Sequence, residues 1–215
     1  MDRKTFLIIC VAIIILSDVL RRTLMNRISN KLTRLLLNGD YAAFDELADK
    51  FYTKYFVAPF NLDFVKMNSY LARGDDQKVN EILDHFDQCR LNAKQKYAVY
   101  SSAFYYYLTM EDTKRCKKYY KILTENPDPK QDMTMTHWLY DTYIDHGSKY
   151  LDDILNRYED APENMKPQLD ALLARIYENQ GDKKNADIYN RKLKEYAKKL
   201  DKKLSEQQEG KKDVE

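Results

Sequence analysis

The chain has 215 residues, of which 33% are charged and 44% hydrophobic, and its net charge is +2. This length fits one medium-sized domain and a short additional segment. Five glycines and five prolines are too few for a turn-rich β protein. The near-neutral charge argues against a nucleic-acid-binding protein, which needs a concentrated basic face. The three cysteines have neither the spacing of a disulfide framework nor that of a zinc site.

An apolar run lies near the N-terminus. Residues 6–16 (FLIICVAIIIL) are all apolar, and the run extends to residues 5–20. Sixteen helical residues span roughly 24 Å, short of a ~30 Å hydrocarbon core, but Lys4 and Arg21 can snorkel outward. We therefore predict an uncleaved membrane anchor over residues 1–21, with membrane contact through residues 5–20. A cleaved signal peptide and a buried core helix stay as alternatives, although no small-residue cleavage site follows the run.

Basic residues around this run predict its orientation. Arg3 and Lys4 precede it, and a larger number of basic residues follows it within residues 21–34. Because basic residues are enriched on the cytoplasmic side, this asymmetry favours a single-pass protein with its remaining domain in the cytoplasm. An extracytoplasmic domain is the alternative.

A helix–turn–helix pattern then recurs five times. Its turns are centred on Gly39, Gly74, Glu111, Gly147 and Gly181, 34 to 37 residues apart. Glycine ends helices well because it adopts the left-handed conformation that other residues resist. Proline, which stops helices, falls between the repeats at Pro59, Pro127, Pro129 and Pro162.

The second helix of most repeats carries an apolar stripe, which predicts burial of one face. The stripes are Phe44/Leu47/Phe51, Val79/Ile82/Phe86, Cys116/Tyr119/Leu123 and Ala186/Tyr189/Leu193. The lysine-rich residues 192–203 predict a capping helix with a basic outer face, for which contact with anionic lipid stays open. Residues 205–215 are polar and predict a disordered tail.

This pattern resembles the tetratricopeptide repeat family, whose unit is a helix–turn–helix of about 34 residues. The resemblance covers residues 25–200 and implies an all-α fold. Together with the predicted anchor, the resemblance predicts a transmembrane helix followed by a right-handed αα-solenoid of about five helix pairs over residues 22–204, which includes the C-terminal capping helix. The glycine that the family carries inside its first helices is replaced here by residues such as Leu32 and Met67. Pentatricopeptide repeats have a similar period and bind RNA, but the basic face that RNA needs is missing.

In such a solenoid the first helices line a concave groove. The residues predicted to face a partner in that groove are Phe64, Asn68, Tyr105, Tyr140, Tyr143 and Arg175. Aromatic rings and amides with little charge suit an extended peptide. Alternatively, the tyrosines simply pack between neighbouring first helices. Related co-chaperones bind a carboxylate with lysine and arginine side chains, and the corresponding positions here, such as Ser29, Thr33 and Val65, supply no such cation.

The sequence contains no HExxH, no glycine-rich phosphate loop and no G-x-S-x-G motif. We therefore expect no enzyme activity and no catalytic residue, metal, cofactor, small-molecule substrate or nucleic-acid partner. The expected function is that of a membrane-tethered scaffold or adaptor that binds a protein or peptide through the groove. The alternative is an extracytoplasmic, chaperone-like module that assists secreted or envelope proteins.

Overall fold

A computed structural model of the chain describes residues 3–125 and 127–212, with the side chains of residues 18–125, 127–202 and 205. Over these residues the chain is helical without a strand, which confirms the all-α prediction. It divides into an N-terminal unit (Met1–Asn92) and a C-terminal unit (Ala93–Glu215). The helices are α1 (Arg3–Leu37), α2 (Tyr41–Asp49), α3 (Phe51–Phe56), α4 (Pro59–Arg73), α5 (Asp76–Gln88), α6 (Ala93–Thr109), α7 (Thr113–Glu125), α8 (Thr134–Leu139), a π-helix (Tyr140–Ile144), α9 (Leu151–Glu159), α10 (Lys166–Asn179) and α11 (Lys183–Lys212).

Left-handed residues mark the turns of five helical hairpins. Positive φ angles, between 53° and 74°, occur at Gly39, Gly74, Glu111, His146 and Gly181, spaced 35 or 37 residues apart. At Gly74 the backbone N–H donates to Leu71, and the next N–H, of Asp75, donates to Tyr70. This pair of bonds satisfies carbonyls that the helix end would otherwise leave without partners. Four of the five predicted turn residues therefore have the predicted conformation.

An aspartate follows four of these left-handed residues and caps the next helix. The side chains of Asp40, Asp75, Asp112 and Asp182 each accept a hydrogen bond from the backbone N–H three residues later, at 2.9–3.2 Å. An N-cap of this kind satisfies one of the free N–H groups at a helix start. The recurring Gly-Asp pair thus ends one helix and begins the next.

The fourth turn differs from the prediction, because His146 and not Gly147 has the positive φ. A Cβ atom on Gly147 would lie 2.5 Å from the Asp141 carboxylate, so this glycine is required for space. Asp141 also stabilises the loop before α9. Its carbonyl accepts from the N–H of Gly147 at 2.7 Å and its carboxylate from the N–H of Lys149 at 3.0 Å.

The core of the N-terminal unit lies between α1, α2 and α4. Leu32, Phe44 and Leu62, one from each helix, are buried together. In α5 the buried stripe consists of Val79, Leu83 and Phe86, whereas the predicted member Ile82 is half-buried. Helix α4 contacts both α1 and α2, so the second hairpin packs on both helices of the first.

The second helix of the first hairpin breaks at Lys50, where ψ is 139° and α2 gives way to α3. Phe51, predicted to be buried, is instead 83% exposed, and Tyr52 and Tyr55 are exposed as well. The extended residue at the break reorients the chain. As a result, Thr53 and Val57 are buried in α3 and just after it.

In the C-terminal unit the predicted stripe Cys116, Tyr119 and Leu123 is buried. The Tyr119 ring stacks on Tyr100 and Tyr107 of α6, with ring centroids 5.8 and 5.7 Å apart. A second cluster joins α8, α9 and α10 through Trp138, Ile154, Leu169, Leu172, Leu173 and Ile176. Helix α10 contacts the π-helix, α9 and α11.

The predicted membrane anchor depends on the side chains of residues 6–16, which lie outside the described ones, although their backbone belongs to α1. Within the part of the chain that the structure describes, no helix is both long enough and apolar enough to span a bilayer. Side chains 18–23 of α1 are all exposed, and Leu24 is the first to be partly covered. Helix α1 therefore extends outward from the hairpins before residue 24.

Helix α11 extends further than the sequence suggested. It continues to Lys212 and includes most of the segment predicted to be disordered. Glutamate, glutamine and lysine, which dominate residues 206–212, have high intrinsic helix propensity. Residues 213–215 lie outside the described part of the chain.

Candidate partner-binding surfaces

The six predicted partner-facing residues are divided between the two units. Phe64 and Asn68 belong to α4 of the N-terminal unit. Tyr105, Tyr140, Tyr143 and Arg175 belong to α6, the π-helix and α10 of the C-terminal unit. The two sets have different surroundings: the first lines an open cleft, and the second makes contacts within its own unit.

The cleft of the N-terminal unit lies between the two first helices, α1 and α4, and has a volume of about 360 Å³. Both predicted residues of this unit line it, and Leu32, which is 1% exposed, is also part of its lining. None of the lining side chains is charged. They are Ser29, Leu32, Thr33, Leu36, Val57, Asn61, Phe64, Val65 and Asn68. We call this the neutral cleft.

The amides of the neutral cleft are available to a ligand. The side chains of Asn61 and Asn68 form no hydrogen bond with any described residue, while the hydroxyl of Thr33 donates to the carbonyl of Ser29 at 3.0 Å. An amide has two donors and two acceptor lone pairs and can therefore bond to a peptide backbone in either sense. Phe64 stacks on Phe60 at 5.9 Å, which orients its ring.

The charged residues of α4 lie on another face of that helix. Arg73 donates two hydrogen bonds to Asp45 of α2, at 2.8 and 3.0 Å, and Lys66 donates to Asp49 at 2.9 Å. Bidentate arginine–carboxylate pairs fix orientation as well as contributing energy. These ion pairs hold α4 against α2. The uncharged residues of α4 then face the neutral cleft.

In the C-terminal unit two predicted tyrosines bridge successive first helices. The hydroxyl of Tyr105 lies 3.2 Å from that of Thr136 in α8, although its side chain is still 37% exposed. The hydroxyl of Tyr143 donates to the carbonyl of Ala171 in α10 at 3.5 Å. Burial raises the pKa of Tyr143. These two contacts agree with the alternative that the sequence left open, in which the tyrosines pack between neighbouring first helices.

Tyr140 contacts a second helix. Its ring stacks on that of Tyr120 in α7, with centroids 3.6 Å apart and planes 10° apart. The Tyr120 hydroxyl in turn lies 2.7 Å from Nδ1 of His137 in α8. Tyr140 is therefore part of a three-residue aromatic contact that joins α7 to the fourth hairpin.

Arg175 lies next to Tyr143. Its guanidinium carbon is 6.0 Å from the centre of the Tyr143 ring, and its Nη1 is 3.4 Å from Glu178. The guanidinium Nε is buried without a hydrogen-bond partner. Because Arg175 interacts with both a ring and a carboxylate, the face around it has little free positive charge.

A larger cleft, of about 660 Å³, lies in the C-terminal unit between α8 and α9. None of the predicted residues lines it. Its lining combines the apolar side chains of Trp138, Pro162 and Met165 with Arg157 and Asp160. Across the described parts of the chain, no group of three His, Cys, Asp or Glu side chains is placed to hold a metal ion.

A buried carboxylate was not anticipated from the sequence. Asp170 of α10 is 5% exposed, burial raises its pKa, and its Oδ1 has no hydrogen-bond partner. Tyr158 is hydrogen-bonded to Asp170, and burial together with that bond raises the pKa of Tyr158 to about 12. Lys192 donates to the Tyr158 hydroxyl at 3.1 Å. The chain of contacts Lys192–Tyr158–Asp170 ties α11, α9 and α10 together.

Sequence reasoning missed the exposed aromatic residues of α3, because Phe51 fits the spacing of a buried stripe and no turn residue signals the break at Lys50. No protein-family model, curated protein or solved structure matches this chain.

Proposed function

We propose that this chain is a non-catalytic, tetratricopeptide-like scaffold that binds a protein partner through the neutral cleft. The observation that carries the proposal is an open space between two first helices, lined only by uncharged side chains and carrying two unpaired amides. The lining offers the hydroxyls of Ser29 and Thr33 but no carboxylate, histidine, lysine or cysteine that could act as an acid or base beside them. The chemistry of the cleft is that of recognition.

The spacing of the amides suits an extended peptide. Asn61 and Asn68 are seven residues apart on α4, which corresponds to about 10.5 Å along the helix axis. An extended chain covers that distance in about three residues. Both amides could then bond to the backbone of one segment, while an apolar side chain between them would contact Phe64 and Leu32. A neutral, apolar segment fits better than an acidic one, because the lining offers no cation.

Packing within each unit supports an αα-solenoid. Helix α4 contacts both helices of the hairpin before it, and α10 likewise contacts the π-helix and α9. In solenoids each repeat packs on its neighbour in this way, and the stack buries a continuous core. We propose that the five hairpins follow the right-handed arrangement of tetratricopeptide repeats.

We also propose that the apolar run at residues 5–20 tethers this scaffold to a membrane, with the hairpins in the cytoplasm. The exposed residues 18–23 of α1 support the proposal, because a helix that leaves its domain uncovered is free to enter a bilayer. Tethering would raise the effective concentration of a partner at the membrane. Full-length protein should stay with membranes during carbonate extraction, and a chain that begins at Arg22 should not.

A thiol-labelling experiment can determine on which side of the membrane the hairpins lie. Cys89 is exposed, while Cys116 is buried and its pKa is raised to about 11 by burial, so the Cys116 thiol is protonated and shielded. A membrane-impermeant maleimide should label Cys89 only after cells are permeabilised. Labelling in intact cells would instead support the extracytoplasmic, chaperone-like alternative.

The cleft itself is best tested by site-specific crosslinking. A photoreactive amino acid at position 68 should capture a partner in cells, and the same probe at Asp84, an exposed residue of α5, is the matched control. Asn61→Leu, combined with the probe at position 68, keeps the side-chain volume of the other cleft amide and removes its polar groups. We expect it to weaken capture roughly tenfold, as loss of about 1.4 kcal/mol of binding would, with an unchanged melting temperature. Equal capture from positions 68 and 84 would rule the cleft out.

A further inference from the structure

The side chains of helix α11 become more exposed towards its C-terminal end. In its first part Ala186 is buried, Tyr189 stacks on Tyr177 of α10 at 5.7 Å, and Leu193 is half-buried. From residue 194 to residue 202 every side chain is exposed. Helix α11 therefore has a packed part and an exposed part, and the exposed part covers about two and a half helical turns.

The apolar stripe of α11 continues into its exposed part. Tyr189, Leu193, Tyr196 and Leu200 are spaced three or four residues apart and so lie on one side of the helix. The first two contact the C-terminal unit, but Tyr196 is 44% exposed and Leu200 is 47% exposed. Tyr196 lines a shallow cleft with Pro167 and Asp170 of α10, so described residues cover this end of the stripe only in part.

Lysines surround the exposed end of the stripe. Residues 191–202 contain six basic side chains and only two acidic ones, Glu195 and Asp201. On a helix with about 100° per residue, Lys199 lies about 90° from the middle of the stripe on one side, Lys194 lies about 130° from it on the other, and Lys198 lies on the opposite face. Lys194 and Lys199 form no ion pair with any described residue. The positive charge beside the apolar stripe is therefore available to an anionic surface.

We propose that residues 194–202 of α11 bind the surface of an anionic lipid bilayer. Tyr196 and Leu200 would enter the boundary between headgroups and acyl chains, and the lysines would contact the lipid phosphates. Helices that lie in a membrane interface have this composition, with lysine on the polar face and bulky apolar residues opposite. A partner helix would require acidic residues matched to these lysines, whereas anionic lipid supplies negative charge in every orientation.

This contact depends neither on the neutral cleft nor on insertion of residues 5–20, because it uses the opposite end of the chain. It would give the scaffold a lipid-sensitive attachment, strong on membranes rich in anionic lipid and weak on neutral ones. The attraction acts over a Debye length and should weaken as salt increases.

The test is Tyr196→Trp in the full-length chain, which places an indole in the proposed contact. The one native tryptophan, Trp138, is 5% exposed, so the unsubstituted chain gives the background emission. On phosphatidylcholine vesicles that contain phosphatidylserine, the introduced indole should shift to shorter wavelength and be quenched by brominated acyl chains. Vesicles of phosphatidylcholine alone should leave its emission unshifted, and added salt should reverse the shift.

A charge variant completes the test. Lys194→Glu with Lys199→Glu should raise the anionic lipid needed for half of the shift roughly tenfold or more, since each lysine near the surface contributes about 1 kcal/mol. The matched control, Lys183→Glu with Lys184→Glu, makes the same charge change at the packed end of α11 and should leave the shift intact. An introduced indole that stays solvent-like while the chain is bound to anionic vesicles would overturn the proposal. So would a blue shift that appears without lipid and grows with protein concentration, which would indicate contact between copies of the chain.

Discussion

The N-terminal and C-terminal units use the same hairpin turn but differ in the space between successive first helices. In the N-terminal unit, Phe64 and Asn68 border an open cleft of about 360 Å³. In the C-terminal unit, Tyr105 reaches Thr136 and Tyr143 reaches Ala171, so side chains bridge the corresponding helices. At equivalent positions of the first helices, the length of the side chain therefore decides whether a groove stays open between neighbouring repeats or is closed.

The largest expected effect tests the structural role of the tyrosines. Tyr140→Ala removes the ring that stacks on Tyr120 and should reduce the free energy of unfolding by about 2–3 kcal/mol. Phe64→Ala empties one wall of an open cleft and should cost only about 1 kcal/mol, because less packing is lost. Urea denaturation followed by circular dichroism measures both values. An equal cost for the two variants would remove the distinction between a bridged and an open region.

The second prediction tests what the units share. Gly74→Val and Gly181→Val each force a β-branched residue into a left-handed turn, which should cost about 1–2 kcal/mol. Around both glycines a Cβ atom would meet nothing within 4 Å, so the cost is conformational in both units. Thermal unfolding should therefore show similar losses. A loss confined to one variant would mean that the two turns are not equivalent.

A smaller effect of opposite sign is expected at Glu111, where a non-glycine residue has a φ of 55°. Glu111→Gly should raise stability by about 0.5–1 kcal/mol, because relief of the left-handed strain outweighs the greater freedom of glycine in the unfolded chain. The corresponding control is Glu195→Gly, at an exposed position inside α11, which should destabilise by about 1 kcal/mol. If both variants lose stability, Glu111 must make a stabilising contact that offsets its strain.

The smallest expected effect concerns Asp170 of the C-terminal unit. Its pKa in the folded chain is raised above the ordinary 3.8 by burial. The folded state therefore holds this proton more tightly, and the associated stability is present below the ordinary pKa and lost as pH rises through the raised one. Asp170→Asn should raise the melting temperature by about 1 °C at neutral pH and should not raise it at acidic pH. Melting curves across that pH range measure it, and a lower melting temperature at neutral pH would mean that the ionised carboxylate is stabilising.

The hairpins could be predicted because glycine and aspartate each have a local reason to lie at these turns, one by its backbone freedom and the other by capping. Gly147 could not be placed correctly, since its proximity to Asp141 depends on the folded loop. Phe51 was wrongly predicted to be buried, because the break at Lys50 arises without a turn residue. Tyr140 was assigned by counting back from the turn on a regular helix, and that count loses register across the π-helix.

The candidate site, like the fold, could be predicted from the sequence only in part. Phe64 and Asn68 were placed by helical spacing alone, and both line the neutral cleft. The contacts of the four C-terminal residues depend on which side chains approach from neighbouring helices, and a single sequence does not encode those distances locally. Whether any of the six residues contacts a partner stays a prediction.

The π-helix also bears on how far the C-terminal unit can be shortened. Its wider turn leaves the carbonyl of Thr142 to be satisfied from outside, and Asn179 of α10 donates to it at 2.9 Å and to the carbonyl of Gly147 at 3.3 Å. A chain cut before α10 would lose both bonds as well as the packing around Trp138. The fourth hairpin is therefore unsuited to be a chain terminus, and the last two hairpins should unfold together as one cooperative block.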